Sequence, residues 1–493
     1  MIFSFLGVAL HCYSQKFYDY NWAFGYENDN IDTINIPDFG GQIMSFQNKK
    51  ISFSRRVLKH DFDNQTNSLS DRSGSLKYMS NTCDILNSSG DIILNGDKLL
   101  LSKYNYCPKN DPSNQSGLFL VFENQDSILV FLHCIIDTIN GSKNIFNKSI
   151  IEVKINTLRD SVLSKHKTIL YDSLGAEGFC GIPTMTGDQY WIIIPEYENN
   201  GYWILLYGVD GVEKTIRHHE GLSSEKRASL TGQACFSPDG KHYALYNSVI
   251  GLQIFDFDRT NGSLSNYKYY GHKHEQLMFA GVCFSPDSRL LYFNTSVHMF
   301  QLELATNIID TIASYEPYND PYPTTFMHSA LGPDCRIYTC TPGGNRYLHV
   351  ILYPNRKGKA CGFIQRGVKL LTRNGNAIPN FPHYRVNEPY PCDSTIALQL
   401  NTGVEGMDVE SSGILFLYPN PVTEEMTVEL RDKNQSIQQI KIYSSSGILC
   451  ASQVYFSSSY SERMSLHSLS PGIYILECCD RSGLKYRQKF VKI

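Results

Sequence analysis

Apolar and polar residues alternate along most of this chain in short runs, and turns rich in Gly, Pro, Asp and Asn separate the runs. A period of two residues predicts β-strands, because successive side chains of a strand point to opposite faces. The sequence contains 32 Tyr and 26 Phe but only 3 Trp, and Tyr and Phe suit the pleated surface of a sheet. The pattern predicts an all-β protein.

One unit of this pattern returns three times in the middle of the chain. Each copy has an apolar strand, a Pro-Asp turn and a second alternating strand, and the turn prolines are Pro238, Pro286 and Pro333. Pro presets φ for the first turn position, and Asp and Gly tolerate the next one. The prolines are 48 and 47 residues apart, which is close to the period of propeller blades (~40–50 residues).

Fainter copies lie upstream, around Asp91, Asp126 and Asp188. A single blade cannot cover its own apolar faces, so neighbouring blades must stack and bury them. We therefore predict a six- or seven-bladed β-propeller over residues 16–390. In it, Phe236, Phe284 and Leu331 should occupy equivalent places in successive sheets.

The C-terminal fifth of the chain has a different pattern. Residues 391–413 lose strand periodicity and fill with Pro, Ser, Gly and acidic residues, which is typical of a linker. Residues 414–493 then resume short alternating runs with frequent turns. About five to seven short strands of this kind predict a separate small β-sandwich.

The first fifteen residues are more apolar than those that follow. The stretch from Ile2 to Leu10 has the length of a signal-peptide core, and Ser14 and Gln15 can end at a signal-peptidase site, although no Lys or Arg precedes the stretch. The alternative is a buried first strand. Because the sequence turns polar at Lys16, we expect residues 1–15 to be a signal peptide. No later apolar run has the length of a membrane span.

Composition and known motifs exclude several functions. A formal net charge of −4 argues against a nucleic-acid partner, which would favour a basic surface. The sequence contains no phosphate-binding Gly-rich loop, no nucleophile elbow and no zinc-binding helix motif. We therefore expect no cofactor, and no motif identifies a catalytic residue.

The cysteines form no Cys-x-x-Cys pair. Thirteen of the 14 Cys remain after Gln15, so at least one is unpaired or forms an intermolecular bond. Cys235 and Cys283 occupy apolar strand positions and are predicted to be small core residues. Cys361 and Cys392 flank a turn-rich stretch and are candidates for a disulfide bond.

Four polar clusters are candidates for metal binding. The ranges 272–275 (His-Lys-His-Glu) and 218–220 (His-His-Glu) offer imidazoles and carboxylates, and the ranges 61–67 and 256–262 resemble the start of a calcium loop. Exposed loops explain the His clusters better, and neither acidic range has a carboxylate at its twelfth position. We interpret all four as polar loops or hairpins and predict no metal site.

A tyrosine-rich stretch runs from Tyr315 to Pro323. Tyr combines a large contact area with a polar tip, so this loop can form an aromatic rim that binds carbohydrate or protein. The alternative is that the rings only pack across the propeller face.

The C-terminal block resembles the type A C-terminal sorting domain of bacterial type IX secretion. That family opens with a Tyr-Pro-Asn-Pro box, has a middle strand with a Gly turn and a Leu-x-x-Gly-x-Tyr box, and closes on a basic, apolar strand. The matching residues are Tyr418, Pro419, Asn420, Pro421, Gly447, Gly472, Tyr474 and Lys489. The resemblance implies passage through the periplasm, recognition by the outer-membrane translocon, and then removal of the domain with release or attachment to surface lipopolysaccharide.

The rest of the chain resembles secreted propeller proteins that carry the same tail. The matching stretches include 21–25, 280–287, 323–326 and 379–382. The resemblance implies the architecture and export but no activity. Two functions stay open: a non-catalytic surface protein that binds an extracellular protein or glycan, or a carbohydrate-active hydrolase or lyase whose acidic residues meet in the propeller channel.

Overall fold

In a computed structural model, the chain divides into two compact units, Met1–Leu400 and Asn401–Ile493. The structure describes residues 16–26, 38–58, 61–100, 107, 115–123, 125–136, 147–175, 178–197, 201–221, 232–247, 250–271, 279–388, 392–400, 415–433, 435–444, 449–456, 459–481 and 485–493. The predicted signal peptide, residues 1–15, lies outside these residues.

The described part of the first unit forms seven antiparallel sheets in chain order, which we number as blades 1 to 7. Blade 1 contains β1 (Asn21–Tyr26), β2 (Gly40–Ser45) and β3 (Ser52–Arg56); blade 2 contains β4 (Asn67–Ser70), β5 (Leu76–Ser80) and β6 (Ile85–Asn87); blade 3 contains β7 (Gly117–Val121), β8 (Ile128–Ile136), β9 (Asn147–Asn156) and β10 (Ser161–Ser173).

Blades 4 to 7 each have four strands. Blade 4 contains β11 (Cys180–Pro183), β12 (Tyr190–Pro195), β13 (Gly201–Gly208) and β14 (Gly211–His219), and blade 5 contains β15 (Gly232–Phe236), β16 (His242–Asn247), β17 (Gly251–Asp258) and β18 (Ser263–Tyr270). Blade 6 contains β19 (Gly281–Phe284), β20 (Leu290–Asn294), β21 (His298–Glu303) and β22 (Ile308–Ser314), and blade 7 contains β23 (Ser329–Leu331), β24 (Ile337–Cys340), β25 (Asn345–Ile351) and β26 (Phe363–Asn374). A short 3-10 helix, Gly358–Cys361, precedes β26.

The three Pro-Asp turns join the first and second strands of blades 5, 6 and 7. Their third residues, Gly240, Ser288 and Cys335, have φ of 70°, 60° and 64°, so one left-handed position serves all three turns although only one of the residues is Gly. Within the first turn, the Asp239 carboxylate accepts hydrogen bonds from Ser237 Oγ and the backbone N of Lys241.

The predicted equivalence of Phe236, Phe284 and Leu331 is confirmed, because they are the last residues of β15, β19 and β23. The apolar faces of these sheets are buried against neighbouring sheets. One apolar cluster lies between each pair of consecutive blades. A seventh cluster joins blade 7 to blade 1 and closes the ring.

The closing interface is rich in aromatic residues. The Trp22 ring of blade 1 lies 5.2 Å from the Phe46 ring and 5.5 Å from the Tyr338 ring of blade 7, measured between centroids. The buried Gln42 side chain accepts from the backbone N of Leu371 and donates to the Thr372 carbonyl. The first and last blades are therefore joined by apolar packing and by hydrogen bonds.

Two disulfide bonds link Cys83 to Cys107 and Cys335 to Cys392. The candidate pairing of Cys361 with Cys392 is wrong. Cys361 is buried as a free thiol, because it closes the 3-10 helix, whereas the Pro-Asp turn of blade 7 brings Cys335 next to Cys392.

Residues 392–400, which belong to the predicted linker, are part of the first unit and contact its first blade. The backbone N of Ala397 donates to the Lys49 carbonyl at 2.8 Å, and the backbone N of Ile51 donates to the Ala397 carbonyl at 2.9 Å. Within the described ranges, no helix has the length and hydropathy needed to cross a membrane.

The second unit has seven strands in its described part. They are β27 (Leu415–Tyr418), β28 (Glu425–Leu430), β29 (Ile437–Ser444), β30 (Leu449–Val454), β31 (Ser461–Ser465), β32 (Gly472–Asp480) and β33 (Lys485–Lys492). They form two sheets, ordered β27-β28-β31 and β30-β29-β32-β33. Alternate residues such as Met426, Val428, Ile440 and Ile442 are buried in one core, as in the predicted small sandwich.

We expect Phe284→Ala to lower the free energy of unfolding by about 3–5 kcal/mol, because it opens a cavity between blades 6 and 5. Leu158→Ala is the control, since Leu158 is 81% exposed and its loss should cost no more than about 0.5 kcal/mol. Chemical denaturation measures both changes. Equal effects of the two substitutions would contradict the packing described.

Candidate functional site

The centre of the propeller is occupied by the chain itself. Residues 378–388, which we call the central segment, follow the last strand of blade 7 and pass between the inner strands. Residues 379–386 line a central cavity of about 90 Å³ together with Ala234, Val282 and Ala330. The small apolar residues Ala234, Val282 and Ala330 of the inner strands therefore face this segment of the chain.

Hydrogen bonds hold the central segment to the inner edges of blades 3, 4 and 5. Asn380 Nδ2 donates to the carbonyls of Gly117 and Phe179 at 3.2 and 3.1 Å. The Tyr384 hydroxyl donates to the Phe119 carbonyl at 2.7 Å. These carbonyls belong to blade 3 and to the residue before β11, so the segment crosses from one blade to the next.

His383 forms the third contact. Its Nε2 lies 2.7 Å from the Phe236 carbonyl oxygen, so Nε2 carries the proton and donates it. Burial lowers the pKa of the His383 imidazole to about 4. At neutral pH the ring is neutral and serves as a hydrogen-bond donor that holds the segment in place.

An ion pair fastens the end of the central segment. Both terminal nitrogens of Arg385 lie 2.6 Å from the carboxylate oxygens of Asp19, and both side chains are largely buried. Burial raises the pKa of Asp19, and the Arg385 guanidinium opposes that rise. Two residues after Arg385, Asn387 of the central segment accepts a hydrogen bond through Oδ1 from Arg259 at 2.7 Å. Arg259 also donates to the Thr184 carbonyl at 2.7 Å.

We expect Arg385→Ala to lower the free energy of unfolding by about 3–5 kcal/mol at pH 7, because it leaves the buried Asp19 carboxylate without its counter-ion. The loss should shrink as the pH falls, since the raised pKa of Asp19 lets the folded state take up a proton before the unfolded state does. Asp19→Asn in the same chain should restore part of the stability. Thermal unfolding measures each variant, and no recovery in the double variant would contradict this role.

The sequence-based metal candidates do not come together in the described structure. The range 272–275 lies outside the described residues. At the end of β14, His218 Nε2 lies 3.7 Å from Glu220 Oε2, while His219 sits on the opposite face of the strand. The described ranges contain no group of three His, Cys, Asp or Glu residues placed to hold a metal ion.

The two acidic ranges are loop and hairpin structure. The Asp63 carbonyl accepts a hydrogen bond from the backbone N of Asn376, which places residues 61–67 beside the start of the central segment. The range 256–262 ends β17 and turns into β18, with Gly262 at φ 80°. Asn266 Nδ2 donates a hydrogen bond to the Asp256 carboxylate at 2.6 Å.

The Tyr315–Pro323 stretch connects β22 of blade 6 to β23 of blade 7. Tyr318 is wedged between two side chains: the Arg366 guanidinium lies 5.0 Å from its ring centroid, and the Tyr347 ring lies 5.7 Å away, edge to face. The Tyr315 hydroxyl donates to the Tyr318 carbonyl at 2.8 Å. Packing therefore fixes this loop, yet Tyr318 stays 42% exposed.

The other exposed ring of the loop is Tyr322, which is 60% exposed. It lies over Gly343, where an added Cβ would meet the ring at 3.5 Å and where φ is 80°. The predicted ring packing is therefore present in this loop, and the Tyr318 and Tyr322 side chains also stay partly exposed.

Two arginines and two aspartates from separate segments lie beside these rings. Asp38 Oδ1 is 2.8 Å from Arg346 Nη1, and Asp38 Oδ2 is 2.9 Å from Arg373 Nη2. Asp320 lies 3.4 Å from Arg346 and 3.5 Å from Arg373. We call these four residues, with Tyr318 and Tyr322, the aromatic rim; its formal charges balance within it.

Sequence reasoning found the tyrosines of the rim but missed Asp38, Arg346 and Arg373. These residues come from blade 1 and from the third and fourth strands of blade 7, and no local motif connects them. Only the closure of the ring brings them together.

Two of the sorting motif residues, Asn420 and Tyr474, form side-chain hydrogen bonds to the backbone of the second unit. Asn420 donates through Nδ2 to the Lys489 carbonyl at 3.3 Å and accepts through Oδ1 from the backbone N of Val491 at 2.9 Å. The Asn420 side chain therefore connects the Tyr-Pro-Asn-Pro box to the last strand, β33. In this box Tyr418 is the last residue of β27, and Pro419 and Pro421 flank Asn420.

The second box is fixed by a tyrosine. Gly472 begins β32, and two residues later the Tyr474 hydroxyl donates to the Ser470 carbonyl at 2.8 Å. The Tyr474 ring lies 5.6 Å from the Phe490 ring. Gly447 lies outside the described residues.

Comparison with known proteins identifies the second unit. The family described as the secretion system C-terminal sorting domain matches residues 416–493. The chain is a β-propeller protein with a type IX sorting domain. Through this sorting domain it interacts with the type IX secretion system and is secreted to the cell surface or the extracellular space.

The propeller has distant structural neighbours. It is similar to a functionally unknown protein from Desulfotomaculum acetoxidans, with 14% identity, 73% of this chain and 99% of that chain covered, and a TM-score of 0.41. The periplasmic gluconolactonase of Pseudomonas aeruginosa is 11% identical, with 72% of this chain and 97% of that chain covered and a TM-score of 0.43. The Cps50 (Swd1) propeller domain of Myceliophteria thermophila is 10% identical, with 77% of this chain and 96% of that chain covered and a TM-score of 0.31. None of the curated proteins matches this chain in sequence.

Proposed function

We propose that this exported propeller is a non-catalytic binding protein that binds an extracellular protein or glycan through its aromatic rim. The observation that carries the proposal is the pair of partly exposed tyrosines, Tyr318 and Tyr322, which lie in a packed loop beside a balanced Arg–Asp cluster. The Tyr318 ring is packed against Arg366 and Tyr347, so it loses little conformational entropy on binding, and tyrosine has only two side-chain torsions to order.

The contents of the propeller centre support binding over catalysis. A hydrolase of the alternative kind needs acidic residues that converge on an accessible channel. Here the central segment fills that position, and the carboxylate of Asp19, at the end of the segment, is engaged by Arg385. The neutral imidazole of His383 likewise donates its hydrogen bond to the Phe236 backbone carbonyl.

The rim also contains both kinds of hydrogen-bonding group. Arginine side chains supply donors, and the aspartate carboxylates supply acceptors. Asp38 is about one-third exposed, so it can accept from a ligand while it stays paired. The sorting domain supplies delivery, and we propose that the mature propeller is then released or attached to surface lipopolysaccharide.

We expect Tyr318→Ala and Tyr322→Ala each to weaken binding of the ligand by at least about tenfold, because each removes an exposed aromatic contact. A glycan array and a screen of surface proteins, both probed with residues 16–400, identify the ligand, and titration calorimetry measures the affinity. Tyr171→Ala is the matched control: Tyr171 is 51% exposed on blade 3.

Two results would contradict the proposal. One is a ligand whose affinity is the same for the parent chain and for both rim variants. The other is turnover of a sugar polymer by the purified propeller.

A further inference from the structure

The first described residue of the propeller contacts the end of the central segment. The backbone N of Lys16 donates a hydrogen bond to Glu388 Oε1 at 3.0 Å. The Lys16 side chain pairs with Glu123 in the first turn of blade 3. Lys16 is therefore held from two sides, and its backbone nitrogen is directed at a carboxylate.

Glu388 is half-buried. Burial raises the pKa of its carboxyl group, while the Lys16 backbone N–H and the charges of Arg385 and Lys16 oppose the rise and Asp19 adds to it. Its second oxygen, Oε2, is buried and accepts no hydrogen bond from any described residue. A carboxylate in this position is under-satisfied and can accept further donors.

We propose that cleavage of the predicted signal peptide after Gln15 creates an ion pair between the new Lys16 α-ammonium and Glu388, which locks the central segment in the propeller. Hydrolysis of the Gln15–Lys16 bond consumes one water molecule, leaves a carboxylate on Gln15 and leaves an amino group on Lys16 that takes up a proton. The single N–H of the peptide bond becomes three N–H donors with a positive charge.

The new charge lies where the existing groups favour it. The Lys16 backbone nitrogen faces the Glu388 carboxylate. The two nearby cations, Arg385 and the Lys16 side chain, are already paired with Asp19 and Glu123, although Arg385 Nη1 also lies 3.4 Å from the Lys16 carbonyl oxygen. A charge-assisted hydrogen bond is stronger than the neutral one it replaces. Processing therefore stabilises the closed ring, in addition to removing the leader.

The test compares two full-length chains, one that begins at Lys16 and one with Gly-Ser added before it, each with and without Glu388→Gln. We expect the extension to lower the melting temperature of the propeller by about 2–4 °C at pH 7 and to speed proteolysis within residues 378–388. In the Glu388→Gln chains the extension should change neither readout. Glu316→Gln, at an exposed carboxylate paired with Arg366, should leave the extension effect intact.

The effect should also depend on pH. An α-amino group titrates at about 7.7–8.0 in an unfolded chain, and its ion pair raises the pKa in the folded state. The advantage of the chain that begins at Lys16 is then complete below about pH 7.5 and is lost as the pH rises through the higher folded value. It is lost again in acid, when Glu388 takes up a proton.

Two outcomes would overturn this inference. The first is equal stability of the two chains at pH 7 in the Glu388 background. The second is a secreted protein whose N-terminus, determined by mass spectrometry, is a residue other than Lys16. Neither outcome bears on ligand binding by the aromatic rim, which the rim variants test separately.

Discussion

The fold depends on burying both faces of each blade, which no blade can do alone. Each apolar cluster of the first unit takes its residues from two neighbouring sheets, so the energy of each interface is available only when both sheets are present. The ring must then close, and it closes where Trp22 of blade 1 contacts Tyr338 of blade 7. This closure brings residues near the two ends of the propeller sequence into contact.

The central segment follows from that closure. After the last strand the chain enters the middle of the ring and binds the backbone of the inner strands through Asn380, His383 and Tyr384. It leaves next to the start of the propeller, where Arg385 meets Asp19. In the part of the propeller that the structure describes, this segment occupies the centre and leaves a cavity of about 90 Å³, so we place the proposed binding groups on the outer surface. The aromatic rim lies where blades 6, 7 and 1 meet.

The sequence predicted the features that local chemistry determines. The Pro-Asp turns of blades 5 to 7 were recognisable because one left-handed position follows each of them, and the turns around Asp126 and Asp188 were found in blades 3 and 4. The central segment was not predicted, since Pro379-Asn-Phe-Pro382 has no periodicity and its ion pair joins residues 366 positions apart. The Cys335–Cys392 bond and the Arg346–Asp38 contact were missed for the same reason: their partners meet only after the ring has closed.

Amide hydrogen exchange of the central segment tests the account most directly. If residues 378–388 fill the ring and bind its inner strands, the amides of this segment that are buried should exchange as slowly as those of β15 and β19, even though the segment contains no regular secondary structure. Exchange of these amides at the rate of an exposed loop would contradict the account, because it would mean that the centre of the propeller is open.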